Sequence, residues 1–328
     1  MSPETVAVRV LVTGVGAIIG QGVVKSLRQL PGVHIVGLDR DRQAFGRHAC
    51  DAFQVKPQMA ETDPAYERFL QELLEREAID LVLPGIEQDV FHFDACRELF
   101  ASAGVAVALN DSRLISLARD KWRLHQALLE AGLPAIPSSR STDWEQVQAQ
   151  LGPAPLLCKP RRGSGGRGQA LVEDEDDLRY QARKQGDDFM LQRLIGSADE
   201  EYTVGLFGYG DGESSRPAIL QRTLGPGGAT WCARSIAGDP LIESACEALT
   251  THFRPVGPTN YQFRKADGRA WLLEINPRLS ASVSLRAALG CNEAAMSIDY
   301  FCHGQRPALA EWRAARCSRY IEDHIEYL

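Results

Sequence analysis

The chain has 328 residues, 44% hydrophobic and 24% charged, with a formal net charge of −7, the composition of an average soluble globular protein with room for two or three domains. The acidic balance, with Arg161 and Arg162 too few to form a basic stripe, argues against a nucleic-acid-binding face; no run of ~18 apolar residues offers a membrane span, and Glu4 and Arg9 ahead of a strand pattern do not make a signal peptide. Eight cysteines stand singly with no C-x-x-C pair, which speaks against a zinc or redox motif and points to a reducing, cytoplasmic setting.

The first hundred residues alternate strands and helices. Val8–Val12 reads as a strand, followed by a glycine turn at Gly14-Val15-Gly16 and a helix to about Leu30. Strands follow at His34–Leu38, Ile79–Leu83 and Val105–Leu109, and helices at Pro64–Arg76, capped by Asp63, and Glu87–Ala101. This alternation predicts a parallel sheet covered on both faces. From Leu114 to Ala131 a helical pattern in two pieces meets near Asp120 and stops at Gly132-Leu133-Pro134. Ile136–Ser141 reads as a linker and Thr142–Leu151 as a helix. Strands are expected at Pro155–Pro160, Gln169–Val172, Met190–Ile195 and Glu201–Phe207, with an acidic helix start at Glu173–Asp177. A helix at Asp239–His252, strands at Thr259–Lys265 and Arg269–Ile275, and helices at Ala281–Leu289 and Glu293–Cys302 complete the pattern; the tail from Gly304 is uninformative.

Two regions carry nucleotide chemistry. Gly14-x-Gly16-x-x-x-Gly20 after a strand, with Asp39 ending the next, resembles a dinucleotide fingerprint, in which glycines admit a pyrophosphate and the acid binds a ribose. The spacing departs from the commonest form. The Tyr-x-x-x-Lys pairs that a short-chain dehydrogenase needs, Tyr180/Lys184 and Tyr261/Lys265, lack a suitable context.

The second half is richer. Lys159 on a strand precedes Gly163-Ser164-Gly165-Gly166-x-Gly168, a loop whose N–H groups can lie on phosphate oxygens. Gln192-x-x-Ile195 and Glu201-Tyr202 offer a strand end for an adenine edge and an acid for ribose hydroxyls. Asn260-x-Gln262 and Glu274-x-Asn276-Pro277-Arg278 lie on a predicted hairpin. If Ala266-Asp267-Gly268 is a three-residue loop, Lys265 pairs with Arg269 and Gln262 lies opposite Leu272, on the face of Glu274 and Asn276, clustering oxygen donors suited to Mg²⁺. A two-residue loop would put Gln262 on the wrong face.

In this order the elements resemble the ATP-grasp superfamily over roughly residues 5 to 300, most of all its carbamoyl-phosphate-synthase-large-chain-like branch, with a single ATP-grasp unit. The resemblance implies an α/β fold: a Rossmann-like pre-ATP-grasp domain at 1–112, a lid subdomain at 113–190 and a C-terminal subdomain with the metal site at 191–328. By position, Lys121 and Lys159 would contact ATP phosphates together with Ser164, Gly165 and Gly166; Gln192, Leu194 and Ile195 would line the adenine pocket; Glu201 would bind ribose. Gln262 and Glu274 would hold one Mg²⁺ (or Mn²⁺), Glu274 and Asn276 a second, and Arg278, with Lys159, would act on the transferring phosphoryl group. The implied activity is an ATP-dependent carboxylate–amine or carboxylate–thiol ligase working through an acyl phosphate. Its partners would be a small acid or amino acid and an amine, without nucleic acid or membrane, in a monomer or homodimer. Arg222, Arg234 and Arg286 are candidates for the substrate carboxylate. The rival readings are an NAD-dependent reductase built on the N-terminal glycine turn and a catalytically silent ATP-binding regulator.

Overall fold

A computed structural model describes residues 8–163, 166–307, 311–320 and 322–325. The chain begins with β1 (Val8–Thr13), α1 (Ile18–Leu27), β2 (Val33–Asp39), β3 (Ala52–Val55), α2 (Pro64–Arg76), β4 (Leu81–Leu83), α3 (Glu87–Ala95), α4 (Arg97–Ser102) and β5 (Ala106–Val107). The strands form one parallel sheet in the order β3-β2-β1-β4-β5. The short edge strand β3, half-buried throughout, had no sequence signal. The helix expected at Glu87–Ala101 is two, because the backbone leaves helical geometry at Cys96 (φ −120°, ψ 37°). Asp63 caps α2 by accepting from the Ala65 N–H.

Next come α5 (Ser112–Ala118) and α6 (Lys121–Glu130), joined at Asp120, whose carboxylate accepts from the N–H groups of Trp122 and Arg123. A four-stranded antiparallel sheet, in the order β6-β9-β7-β8, is built from β6 (Ser138–Ser139), β7 (Leu156–Pro160), β8 (Ala170–Val172) and β9 (Phe189–Arg193). The helices α7 (Trp144–Leu151) and α8 (Glu175–Gln185) bury Val147, Leu151 and Leu178 against Leu156, Cys158 and Leu191 of this sheet.

The last sheet has six strands: β10 (Glu201–Tyr209), β11 (Ala218–Leu224), β12 (Thr230–Ile236), β13 (Val256–Ala266), β14 (Arg269–Asn276) and β15 (Arg316–Ser318), in the order β14-β13-β10-β11-β12-β15. One face packs Tyr202, Val204, Ile219, Tyr261 and Phe263 against α9 (Pro240–Phe253) and α5–α6. Between Phe207 and Asp239 the sequence pattern named no element. β11 and β12 lie there, and the polar Gln221-Arg222-Thr223 run on β11 interrupts any apolar alternation.

The closing helices, α10 (Val283–Ala288) and α11 (Glu293–Ser297), return to the first sheet. Leu279, Val283, Ala294 and Ile298 join Val10, Val12, Val23 and Ile35 in one core, and Asn292 Nδ2 donates to the Ser26 carbonyl of α1 at 2.9 Å. α2, α3 and α4 fill the opposite face with Tyr66, Leu70, Phe93 and Phe100. The sheet expected to be covered on both faces therefore borrows part of one cover from residues some 270 positions downstream.

Under α10 and α11 lies a fully buried ion pair. Arg286 donates from Nε and Nη2 to the two oxygens of Glu293 at 2.8 and 3.1 Å, from Nη2 to Ser280 Oγ at 2.9 Å, and from Nη1 to Asn260 Oδ1 at 3.3 Å. It crosses β10 at Gly205, where any Cβ would fall inside the guanidinium. Removing one member of such a pair leaves an unpaired buried charge. Arg286→Met is expected to cost about 3–5 kcal/mol, and adding Glu293→Leu to recover much of that loss. Urea unfolding of the single and double variants measures the coupling, and equal losses would deny it.

Candidate functional site

The β13–β14 hairpin supplies one wall. Its turn has two residues, Asp267 (φ 52°) and Gly268 (φ 69°), between the paired Ala266 and Arg269. Both are left-handed, as in the primed hairpin turns that Asp-Gly favours. The expected three-residue loop, with Lys265 opposite Arg269, is thereby corrected. On its own the shorter turn would carry Gln262 away from Glu274. A bulge restores the pairing: Phe263 pairs with Leu272 and Gln262 with Glu274, leaving Leu273 as the extra residue. Leu272, expected on the face of Glu274, lies instead with Ala270 and Ile275 in the core.

Along the polar face a chain of side chains runs from Glu274 to the N-terminal layer. Glu274 Oε1 accepts from Asn276 Nδ2 at 3.0 Å, and Asn276 Oδ1 accepts from Arg278 Nη2 at 3.0 Å. The same guanidinium lies 3.9 Å from Glu87 at the start of α3, and its Nε is buried without a partner among the described residues. Glu274 has no ion pair among the described residues.

The four-stranded sheet supplies the facing wall. Lys159 on β7 is 5% exposed and donates to Gln192 Oε1 on β9 at 2.7 Å. Gln192 in turn donates from Nε2 to Ser138 Oγ at 3.0 Å, which fixes its amide with the oxygen toward the lysine. Burial lowers the Lys159 pKa to about 8, helped by the charge of Lys121 and opposed by that of Glu274. Lys159, Lys121 and Glu274, from two different sheets and a helix, thus act electrostatically on one spot. Lys121 Nζ donates to the Gly163 carbonyl at 2.6 Å, and Asp120 pairs with Arg161 at 2.5 Å, tying the end of β7 to α6. Gly166 is exposed just beyond; Ser164 and Gly165 lie outside the described residues.

At the end of β9, Leu194 is half-buried and Ile195 buried. Arg264, which the sequence reading did not single out, donates to the Ile195 carbonyl at 3.2 Å and to Glu201 Oε2 at 2.7 Å. It sits two residues from Gln262 on β13, and the strand period alone could have flagged it. Arg222 on β11 takes the other oxygen of Glu201, from Nε at 3.2 Å and Nη2 at 2.8 Å, and Nη2 also donates to Gln262 Oε1 at 2.6 Å. Both oxygens of Glu201 therefore hold guanidinium bonds; Oε1 accepts twice and Oε2 once, so Oε2 keeps a lone pair for a further donor.

Of the three arginines considered for a substrate carboxylate, only Arg222 borders the site. Arg286 is fully buried on Glu293, which removes it from the candidates. Arg234 pairs with Gln221, the neighbour of Arg222, and so lies on the opposite face, where it donates to Gln221 Oε1 at 2.6 Å.

The acid of the N-terminal glycine turn bonds the turn's own backbone and borders a cavity of about 560 Å³ lined by Gly14, Gly16 and Leu38. Asp39 accepts from the Gly16 N–H at 2.7 Å and the Asp41 N–H at 3.0 Å. A Cβ on Gly20 would overlap the Gly14 carbonyl, so that glycine serves close packing of α1 on the turn. Tyr180 and Lys184 stand on α8, with Tyr180 half-exposed, and Tyr261 is buried in the core.

For a divalent cation the site offers one carboxylate and two amides, and no cluster of three or more acidic, histidine or cysteine side chains occurs among the described residues. Mg²⁺ in nucleotide sites is held by one or two carboxylates plus phosphate oxygens and water. The donor set fits an ion carried in on phosphate.

Comparison with known proteins agrees with this geometry. Residues 185–323 match the family described as ATP-grasp in the biosynthetic pathway with Ter operon, and residues 10–108 match the PylC-like N-terminal domain. Two solved structures share the fold. One is the N5-carboxyaminoimidazole synthetase of Staphylococcus aureus complexed with ADP (TM-score 0.73, 16% identity, 94% of this chain and 81% of that one). The other is the biotin carboxylase domain of 2-oxoglutarate carboxylase from Hydrogenobacter thermophilus with MgADP and bicarbonate (TM-score 0.70, 17% identity, 92% and 71%). The ATP-grasp family match is thus confined to residues 185–323, while the fold is shared over more than nine-tenths of the chain. Among curated relatives the chain is 30% identical over 182 residues to the formate-dependent phosphoribosylglycinamide formyltransferase of Dechloromonas aromatica, covering 54% of this chain and 42% of that protein. The chain thus spans less than half the length of that relative.

The lysine makes a pH prediction. Its pKa falls from 10.5 unfolded to about 8 folded. Below pH 8 both states carry the proton; between the two values the unfolded state binds more, so this group makes stability rise with pH, by about 3 kcal/mol in all. Lys159→Met should remove that rise, read from urea midpoints at pH 7.5 and 10. An unchanged slope would mean that the ammonium is not held in this environment.

Proposed function

We propose that the protein is an ATP-dependent ligase that activates a small carboxylic acid or amino acid as an acyl phosphate and joins it to an amine or thiol. The observation that carries this reading is the convergence of the buried Lys159 ammonium and the unpaired Glu274 carboxylate across the gap between two sheets. The names of the relatives, which speak of formate, bicarbonate and ADP with magnesium, support it.

In this reading Lys159 and Lys121 neutralise phosphate oxygens. The strand end at Gln192, Leu194 and Ile195 meets adenine, and Glu201 meets ribose. Glu274, with Asn276 and Gln262 beside it, is the carboxylate for magnesium carried by the nucleotide. That ion, when bound, screens the triphosphate and polarises the transferring group. Phosphoryl transfer needs chiefly positioning and positive charge, and Arg278, held by Asn276 near Glu87, is aimed where charge develops. The substrate carboxylate attacks the γ-phosphorus and ADP leaves. The amine then attacks the acyl carbon and phosphate leaves. Three functional units, at 1–112, 113–190 and 191–328, divide this work, and a cytoplasmic setting suits it; no described helix is long and apolar enough to cross a membrane.

Mg-ATP should raise the melting temperature, because a ligand of the folded state alone stabilises it, while NAD⁺ at equal concentration should not; the reverse pattern would sink the reading. Glu274→Gln should fold and lose ~10²–10³ in turnover, the usual loss for one preorganised electrostatic contact. Asp39→Ala, which breaks only a turn contact, should stay within a few-fold of normal. Phosphate release measured against pooled small acids and amines reads both variants. Normal turnover in Glu274→Gln with a dead Asp39→Ala would move the site to the other half of the chain.

A further inference from the structure

We propose that Arg222 stands in for one of two cations: the nucleotide site takes a single divalent ion, at Glu274 and Asn276, and the Arg222 guanidinium meets the phosphates as the second positive charge. This rests on the ligase reading and revises its metal count.

The geometry starts at Gln262. As the cross-strand partner of Glu274 it is the group that would complete a second metal position. Its oxygen already accepts from Arg222 Nη2 at 2.6 Å. A divalent ion bound to that oxygen would sit within a few ångströms of a guanidinium, two like charges in a half-buried site, where repulsion is strong. An amide at this place also brings no negative charge to offset it.

Arg222 cannot easily swing away. It is 8% exposed, and Glu201 holds its Nε and Nη2. Glu201 does not cancel it, because Arg264 draws on the same carboxylate from the other side at 2.7 Å. The trio therefore keeps one net positive charge beside Gln262. Arg222 Nη1 has no partner among the described residues and is not one of the sealed, unpaired atoms. It remains a free donor on a preoriented fork, suited to a phosphate oxygen. The other end of the site differs in its acid: Arg278 donates to Asn276 Oδ1 at 3.0 Å there, but Glu274 brings a full negative charge that has no ion pair among the described residues and can offset a divalent ion. The ion belongs at that end.

The test is a Mn²⁺ titration followed by electron paramagnetic resonance, with a non-hydrolysable ATP analogue at saturation. The wild-type chain should bind one Mn²⁺ per bound analogue. Two would overturn this inference and leave the ligase reading standing; no binding of the analogue at all would overturn the ligase reading and this inference with it. Arg222→Met should weaken the analogue by about 10- to 100-fold, the loss of one charge-assisted hydrogen bond, and free Gln262 for a second Mn²⁺. Arg222→Lys, which keeps the charge, should retain a stoichiometry of one. A second Mn²⁺ in the lysine variant, or unchanged analogue affinity in the methionine variant, would show that Arg222 is only a structural partner of Glu201.

Discussion

The buried pair of Arg286 and Glu293 fixes the geometry on which the site depends. Its guanidinium touches four separate parts of the chain: the helix start at Glu293, the loop at Ser280, β13 at Asn260, and β10 at Gly205. Ser280 follows Arg278 by two residues, so the pair anchors the far end of the segment that carries Asn276 and Arg278. The same helices then pack Val283 and Ala294 into the core of the parallel sheet. One ion pair thus holds the β13–β14 hairpin to the N-terminal layer. Its desolvation is costly, and the compensation comes from full hydrogen bonding of both partners.

Electrostatics on the polar face of the six-stranded sheet follow a gradient. Near Ile195 the row of Arg264, Glu201 and Arg222 carries one net positive charge. Toward Asn276 the row ends in Glu274, which keeps its charge unpaired. Across the gap, Lys159 is charged at neutral pH yet held close to losing its proton by burial. The face thus presents fixed guanidinium charge at one end and a carboxylate at the other.

Much of this was legible in the chain. The strand–helix alternation, the Asp120 break, the Lys159 strand and the Glu274-x-Asn276 wall all rest on local rules of period and capping, and these held. What escaped depends on partners far away. The β11–β12 pair carries polar side chains on a buried face, so its period is hidden until Glu201 and Gln262 are seen to satisfy them. Arg286 was read as a candidate for the substrate carboxylate because its own acid lies seven residues on, across a helix break. The hairpin was read with Gln262 on the right face but with the wrong partners, since turn length and bulge each shift the pattern by one and together restore the face. In the dinucleotide-like turn the local signal was good, and the structure adds that its aspartate bonds the Gly16 N–H of the turn itself.

The return of α10 and α11 to the first sheet has a mechanical side. The closing segment packs into the core of the parallel sheet through Val283 and Ala294 and onto the six-stranded sheet through Met296 against Phe207 and Ala218, so it braces the two layers together. The four-stranded sheet has a hydrophobic core of its own, built from α7 and α8. It is fastened to the rest by a few polar latches, Arg161 on Asp120, Lys121 on Gly163 and Arg264 on the Ile195 carbonyl. Such a layout resembles a vice: the six-stranded sheet with its fixed charges is one jaw, the four-stranded sheet with its separate core is the other, and the polar latches span them.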